Sequence, residues 1–149
     1  QSRGLGDVYK RQILYLSSYI IEHKSDYYKA LQDVTEYADW TNWILYILDA
    51  VEVTAKKTLS MIQEIRKVQL ETETFVKNEM ADIYSRELIE LLFEQPYCKI
   101  SFLVNRHIAK KQTASKYLNL LVTAGLLDKT KQGREYYFIN KNLWEILTR

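Results

Sequence analysis

The sequence predicts a mainly α fold with one small β-hairpin near its C-terminus, and three observations carry that prediction. The only glycines are Gly4, Gly6, Gly125 and Gly133 and the only proline is Pro96, so nothing strongly breaks a helix between residues 7 and 95. Apolar side chains in that region recur at three- and four-residue spacing, the period of a helix that buries one face. Near the end, "LLDKT" and "EYYFI" flank "KQGR", two β-prone runs around a glycine turn. A chain of 149 residues, 47% of them hydrophobic, is long enough for one ordinary domain or two small ones with buried cores.

The opening "QSRGLGDVYKRQ" resembles a translated sequencing adaptor and is expected to be non-native over residues 1–12. Without a starting methionine, the chain passes straight into "ILYLSSYI", as the tail of a longer protein would. Ser25 and Asp26 are candidate caps for a helix whose face carries Tyr28, Leu31, Val34 and Ala38 and which ends near Tyr37. Asp39, Thr41 or Asn42 then caps a long helix marked by Trp43, Ile47, Val51, Thr54, Thr58, Ile62 and Ile65. Ile44, Leu48, Ala55 and Leu59 widen its apolar stripe beyond what the short preceding helix covers, so further helices, encoded upstream, are expected to pack on it. From Leu70 to Lys77 the pattern fades, which reads as a connector or a helix end.

A second domain is expected over residues 80–149, after a first part spanning 13–79. Ile83, Leu88, Leu91, Leu92 and Phe93 mark a helix closed by Pro96, "ISFLVNRHIA" a short one, and "TASKYLNLLVTAG" a longer one with Ala114, Tyr117, Leu118, Leu121 and Val122 inward. Gly125 suits the left-handed residue that ends a helix, and Gly133 the hairpin turn. In "NKNLWEILTR" a terminal helix would pack Leu143, Trp144 and Leu147 on the core.

Composition narrows the function classes. The single Cys98 excludes an intrachain disulfide, and with no signal-peptide pattern a cytoplasmic location is the expectation. His23 and His107 stand at no standard ligand spacing from Cys98, so no metal site is expected, and no apolar run is long enough for a membrane span. The net charge of +2 is the sum of −5 over residues 1–95 and +7 over residues 96–149. The basic half is the candidate for a polyanionic partner.

Three helices followed by a basic hairpin resemble a winged helix-turn-helix, and "YLNLLVTAGLL" is close to that family's recognition-helix ending. The resemblance implies that the 112–119 helix enters the major groove of duplex DNA while the hairpin wing touches the backbone. Gln112, Thr113, Ser115, Lys116 and Asn119 point outward with groups that bond bases or phosphates; Lys110 and Lys111 sit at the helix start, and Lys129, Lys131 and Arg134 around the wing. His107 stands where the family often turns on glycine, and Ala109 replaces the usual serine or threonine cap.

"LYLSSYI", "DYYKALQDV" and "DWTNWILYILDAV", from about Leu14 to Val53, together resemble the segment that follows the catalytic motif in bacterial Fic-domain proteins, an order in which a C-terminal winged domain is common. Members mostly transfer AMP from ATP, with magnesium, to a hydroxyl of a target protein. By that resemblance Tyr27 and Tyr28 lie near the nucleotide base and Leu31 lines its pocket, although Tyr28 and Leu31 also suit the apolar face of an amphipathic helix. The family's His-Pro-Phe base and Gly-Asn-Gly-Arg anion loop do not occur in these residues, so no catalytic residue is assigned and this chain alone is expected to be inactive, with ATP and magnesium belonging to a longer parent. The leading expectation is thus a C-terminal Fic fragment with a domain that binds DNA or a protein partner. A free-standing winged-helix regulator dimerising through its helical arm, and a protein-interaction module, are the alternatives.

Overall fold

The computed structural model describes residues 16–149, so the expectation for residues 1–12 falls outside the described part. The chain forms two compact units, one extending to Ser60 and the other spanning Met61–Arg149.

In the first unit, residues 16–22 are helical and lead into α1, Lys24–Tyr37. The expected caps, Ser25 and Asp26, lie inside α1, which has no side-chain cap at His23. None is needed, because the His23 amide bonds Tyr19 O and the His23 carbonyl accepts from Tyr27 N–H, continuing helical bonding across the junction. Ala38 ends α1 in the left-handed conformation, φ 53°, rather than extending its apolar face. Helix α2 follows, Thr41–Glu79, 39 residues and about 58 Å long. Of its three candidate caps, Asp39 takes the role, its Oδ1 accepting from Thr41 N–H at 2.9 Å. Tyr19, Ala30 and Ala50 are buried, whereas Ile44, Leu45, Leu48, Val51 and Leu59 stay exposed along α2.

The second unit starts earlier in the chain than the residue-80 boundary read from sequence. Residues 70–77 continue α2, and within them Thr72 and Val76 are buried, Val76 in one cluster with Ile83, Leu88 and Leu92. A 3-10 turn, Ala81–Ile83, leads to α3, Arg86–Glu94, capped by Ser85 Oγ on Leu88 N–H at 3.1 Å. Then come β1 (Tyr97–Cys98), α4 (Ile100–Asn105), α5 (Lys111–Thr123), β2 (Leu127–Gln132), β3 (Glu135–Asn140) and α6 (Lys141–Thr148).

The antiparallel sheet has the order β1-β3-β2, with Leu127 opposite Asn140 and Gln132 opposite Glu135. A two-residue turn, Gly133-Arg134, joins β2 to β3, and Gly133 at φ 61° supplies the conformation that a type II′ hairpin requires at its first position. The chain is therefore mainly α with a small hairpin sheet, as its residues predict. Strand β1 adds a third strand to the expected two.

Leu88, Leu92, Leu103, Leu118, Leu121, Leu127 and Phe138 form the core of this unit. On α6 Leu143 is buried as expected, together with Ile146, and Leu147 is half-buried, while Trp144 is half exposed, a correction to its expected inward placement. Positions 143 and 146 are three apart and share one face, which turns Trp144 about 100° away.

Cys98 lies in this core, and burial pushes its thiol up to about 12. Ellman's reagent at pH 8 should therefore leave the folded chain unmodified and label it fully in denaturant. Labelling at equal rates in both states would contradict this packing. Because the thiol's value is raised on folding, its contribution is complete below the ordinary value of 9.0 and is lost as pH climbs from there towards 12.

Candidate nucleic-acid interface

Helix α5 is fixed by Ala114, Leu118 and Leu121, whose burial at three- and four-residue intervals turns the opposite face outward. Its approach from α4 is a tight turn in which His107 takes φ 57°, the left-handed conformation for which glycine is the usual choice. Gln112, Thr113 and Lys116 are exposed, and Ser115 and Asn119 half-buried. Lys110 occupies the N-cap position with no side-chain cap bond, and the first turn of α5 contains no acid. Lys110 and Lys111 thus add positive charge to the helix end that already carries it.

Beside the shared core of Leu118, Leu121, Leu127 and Phe138, a polar bridge joins the hairpin to α5. Lys129 on β2 donates from Nζ to Asn119 Oδ1 at 2.9 Å and lies 4.4 Å from the Tyr136 ring centroid. Asn119 Nδ2 in turn donates to Ser115 O at 2.7 Å. Both ends of the Asn119 amide are therefore engaged within the chain, and Lys129 is anchored rather than free.

Apart from Lys129, the basic residues of the C-terminal stretch divide in two. Lys99 pairs with Glu135 at 2.6 Å, Arg106 with Glu94, Lys141 with Asp128 and Arg149 with Glu64. Lys110, Lys111, Lys116, Lys131 and Arg134 form no ion pair among the described residues, and all five lie at the start or outer face of α5 or on the hairpin. Lys111 and Arg134 meet across a groove also lined by Lys99, Ile100, Val104 and Tyr136. Tyr136 and Lys99 were not singled out from sequence. The hairpin register provides the signal for Tyr136, because a turn at Gly133 places it directly opposite Lys131.

In the first unit, the Tyr27 ring centroid is 5.5 Å from that of Tyr28 and 5.4 Å from that of Trp43. Tyr28 is 64% exposed and Leu31 39% exposed, so neither is core in this fold. Tyr27 is half-buried in an aromatic cluster with Trp43 and Tyr46. Beside it, Tyr19 donates its hydroxyl to Asp49, a hydrogen bond to a carboxylate that pushes the phenol up to about 12. No group of three or more potential metal ligands occurs among the described residues, and no helix there is long and apolar enough to cross a membrane.

A family model described as "Protein adenylyltransferase SoFic-like, C-terminal domain" matches residues 68–143. The match takes in the end of α2, α3 to α5, the whole hairpin and the start of α6. The end of α2 thus falls inside the family's domain, in keeping with the burial of Thr72 and Val76 in the second unit. The chain belongs to this SoFic-like family, and residues 68–143 are its C-terminal domain.

Proposed function

We propose that this chain is the C-terminal part of a Fic-type protein adenylyltransferase whose second unit is a winged helix-turn-helix domain that holds the enzyme on duplex DNA. The observation that carries the DNA reading is the division of charge. Four basic side chains elsewhere in the C-terminal stretch are neutralised by carboxylates, while Lys110, Lys111, Lys116, Lys131 and Arg134 are left unpaired on α5 and the hairpin. An uncapped helix start bearing two lysines is electrostatically costly without an anion, and a phosphate backbone supplies one.

The exposed Ile44, Leu45, Leu48 and Val51 of α2 suit further helices of a catalytic domain, the part that would carry the His-Pro-Phe motif. That part would bind ATP and magnesium. Tyr27, Tyr28 and Leu31 of this chain offer the nucleotide an aromatic and apolar flank but no phosphate cradle.

Titration of a labelled duplex library with the full chain tests the DNA reading. Lys131→Ala/Arg134→Ala should weaken binding to a similar degree on every sequence, because these side chains meet phosphates rather than bases. Equal affinity for wild type and variant, or absence of binding at low salt, would mean that the charge is merely a solvated surface.

A further inference from the structure

The groove between α4, the start of α5 and the hairpin turn has a volume of about 490 Å³, within the range of small-molecule sites. Its apolar wall consists of Ile100 and Val104 on α4 and the ring of Tyr136 on β3. Its charge is one-sided. The one acid in the lining, Glu135, is already neutralised by Lys99 at 2.6 Å, whereas Lys111 and Arg134 face it unpaired, and Lys131 Nζ lies 5.8 Å from the Tyr136 ring centroid.

A bare phosphate would satisfy the cations and leave the apolar wall wet. A neutral apolar molecule would cover the wall and leave the cations without a partner. A ligand with a flat apolar body and one anionic group satisfies both at once. We propose that this groove binds small amphiphilic anions, an aromatic or aliphatic body bearing a carboxylate or phosphate. Ligand and DNA then compete, because Lys111 and Arg134 serve both. This second clause rests on the DNA reading above; the groove as a ligand site does not.

The experiment follows backbone amide resonances of the ¹⁵N-labelled full chain during titration with 2-naphthoate, 2-naphthamide and inorganic phosphate. Naphthoate is expected to give saturable shifts at Ile100, Val104, Lys111, Arg134 and Tyr136, with naphthamide and phosphate at least about tenfold weaker, the factor expected from losing one charge-assisted pair or the apolar contact. Arg134→Ala, at an exposed turn, should weaken naphthoate about tenfold. Lys116→Ala, outside the groove, should leave naphthoate unchanged while weakening the duplex.

Equal shifts from naphthoate and phosphate would reduce the groove to a charged surface, and equal shifts from naphthoate and naphthamide would remove the role of the cations; either overturns the proposal. So does the absence of saturation. Naphthoate binding that leaves duplex affinity untouched would support the site and sink the competition. Naphthoate binding with no duplex binding at all would support the site and overturn the DNA reading alone.

Discussion

Replacing Leu118 by alanine is expected to destabilise the C-terminal unit by about 3 to 4 kcal/mol, the cost of deleting a leucine side chain in a core that cannot collapse around the void. Leu118 is fully inaccessible and packs in one cluster with Leu88, Leu103, Leu121 and Phe138, so the space it leaves is walled by α3, α4, α5 and β3. Native-state hydrogen exchange of the α5 amides reads this unit by itself. Leu120→Ala, two residues along and 37% exposed, provides the contrast and should cost well under about 1 kcal/mol. Similar losses at the two positions would mean that α5 is not the centre of the core.

Asn140→Ala should cost about 2 to 3 kcal/mol, because this one buried side chain closes two helices. Its Oδ1 accepts from Leu143 N–H at 3.1 Å, capping the start of α6, and its Nδ2 donates to the Leu92 carbonyl at 3.2 Å, in the last turn of α3. The cap is worth about 1 kcal/mol. Stranding the Leu92 carbonyl in a buried setting adds about 1 to 2 more. Asn140→Asp keeps the capping acceptor but loses the donor and sets a negative charge beside that carbonyl, so it should not restore stability. Wild-type stability of the aspartate variant, by the same exchange measurement, would show that the bond to Leu92 contributes nothing.

The parts of this fold that were legible in the sequence are those where one strong local cause decides. Gly133 turns the hairpin because no residue beside it adopts that conformation as readily, whereas the end of α1 near Tyr37 was placed without its cause, the left-handed Ala38. Asn140 was not legible, since its role depends on a carbonyl 48 residues away. Strand β1 is only two residues long and exists because β3 lies beside it, so no periodicity could mark it. Residues 70–77 looked patternless for a related reason. Only Thr72 and Val76 are buried there, and Val76 clusters with Ile83, Leu88 and Leu92, further along the chain.

Within the candidate interface, the outward placement of Gln112, Thr113 and Lys116 was readable on α5 from helix period, whereas Ser115 and Asn119 are half-buried. The engagement of Asn119 by Lys129 was not readable, because it needs the hairpin folded against α5. That contact shifts the expected burden of base reading from Ser115 and Asn119 towards the exposed Gln112 and Thr113.

The most direct test of the central claim, that the unpaired charge of α5 and the hairpin meets a phosphate backbone, is the salt dependence of duplex binding by the full chain. Three or four neutralised phosphates predict a slope of about −3 to −4 in log affinity against log salt, and Lys131→Ala/Arg134→Ala should make it shallower by about 2. A slope near zero, or one that the double substitution leaves unchanged, would contradict the account.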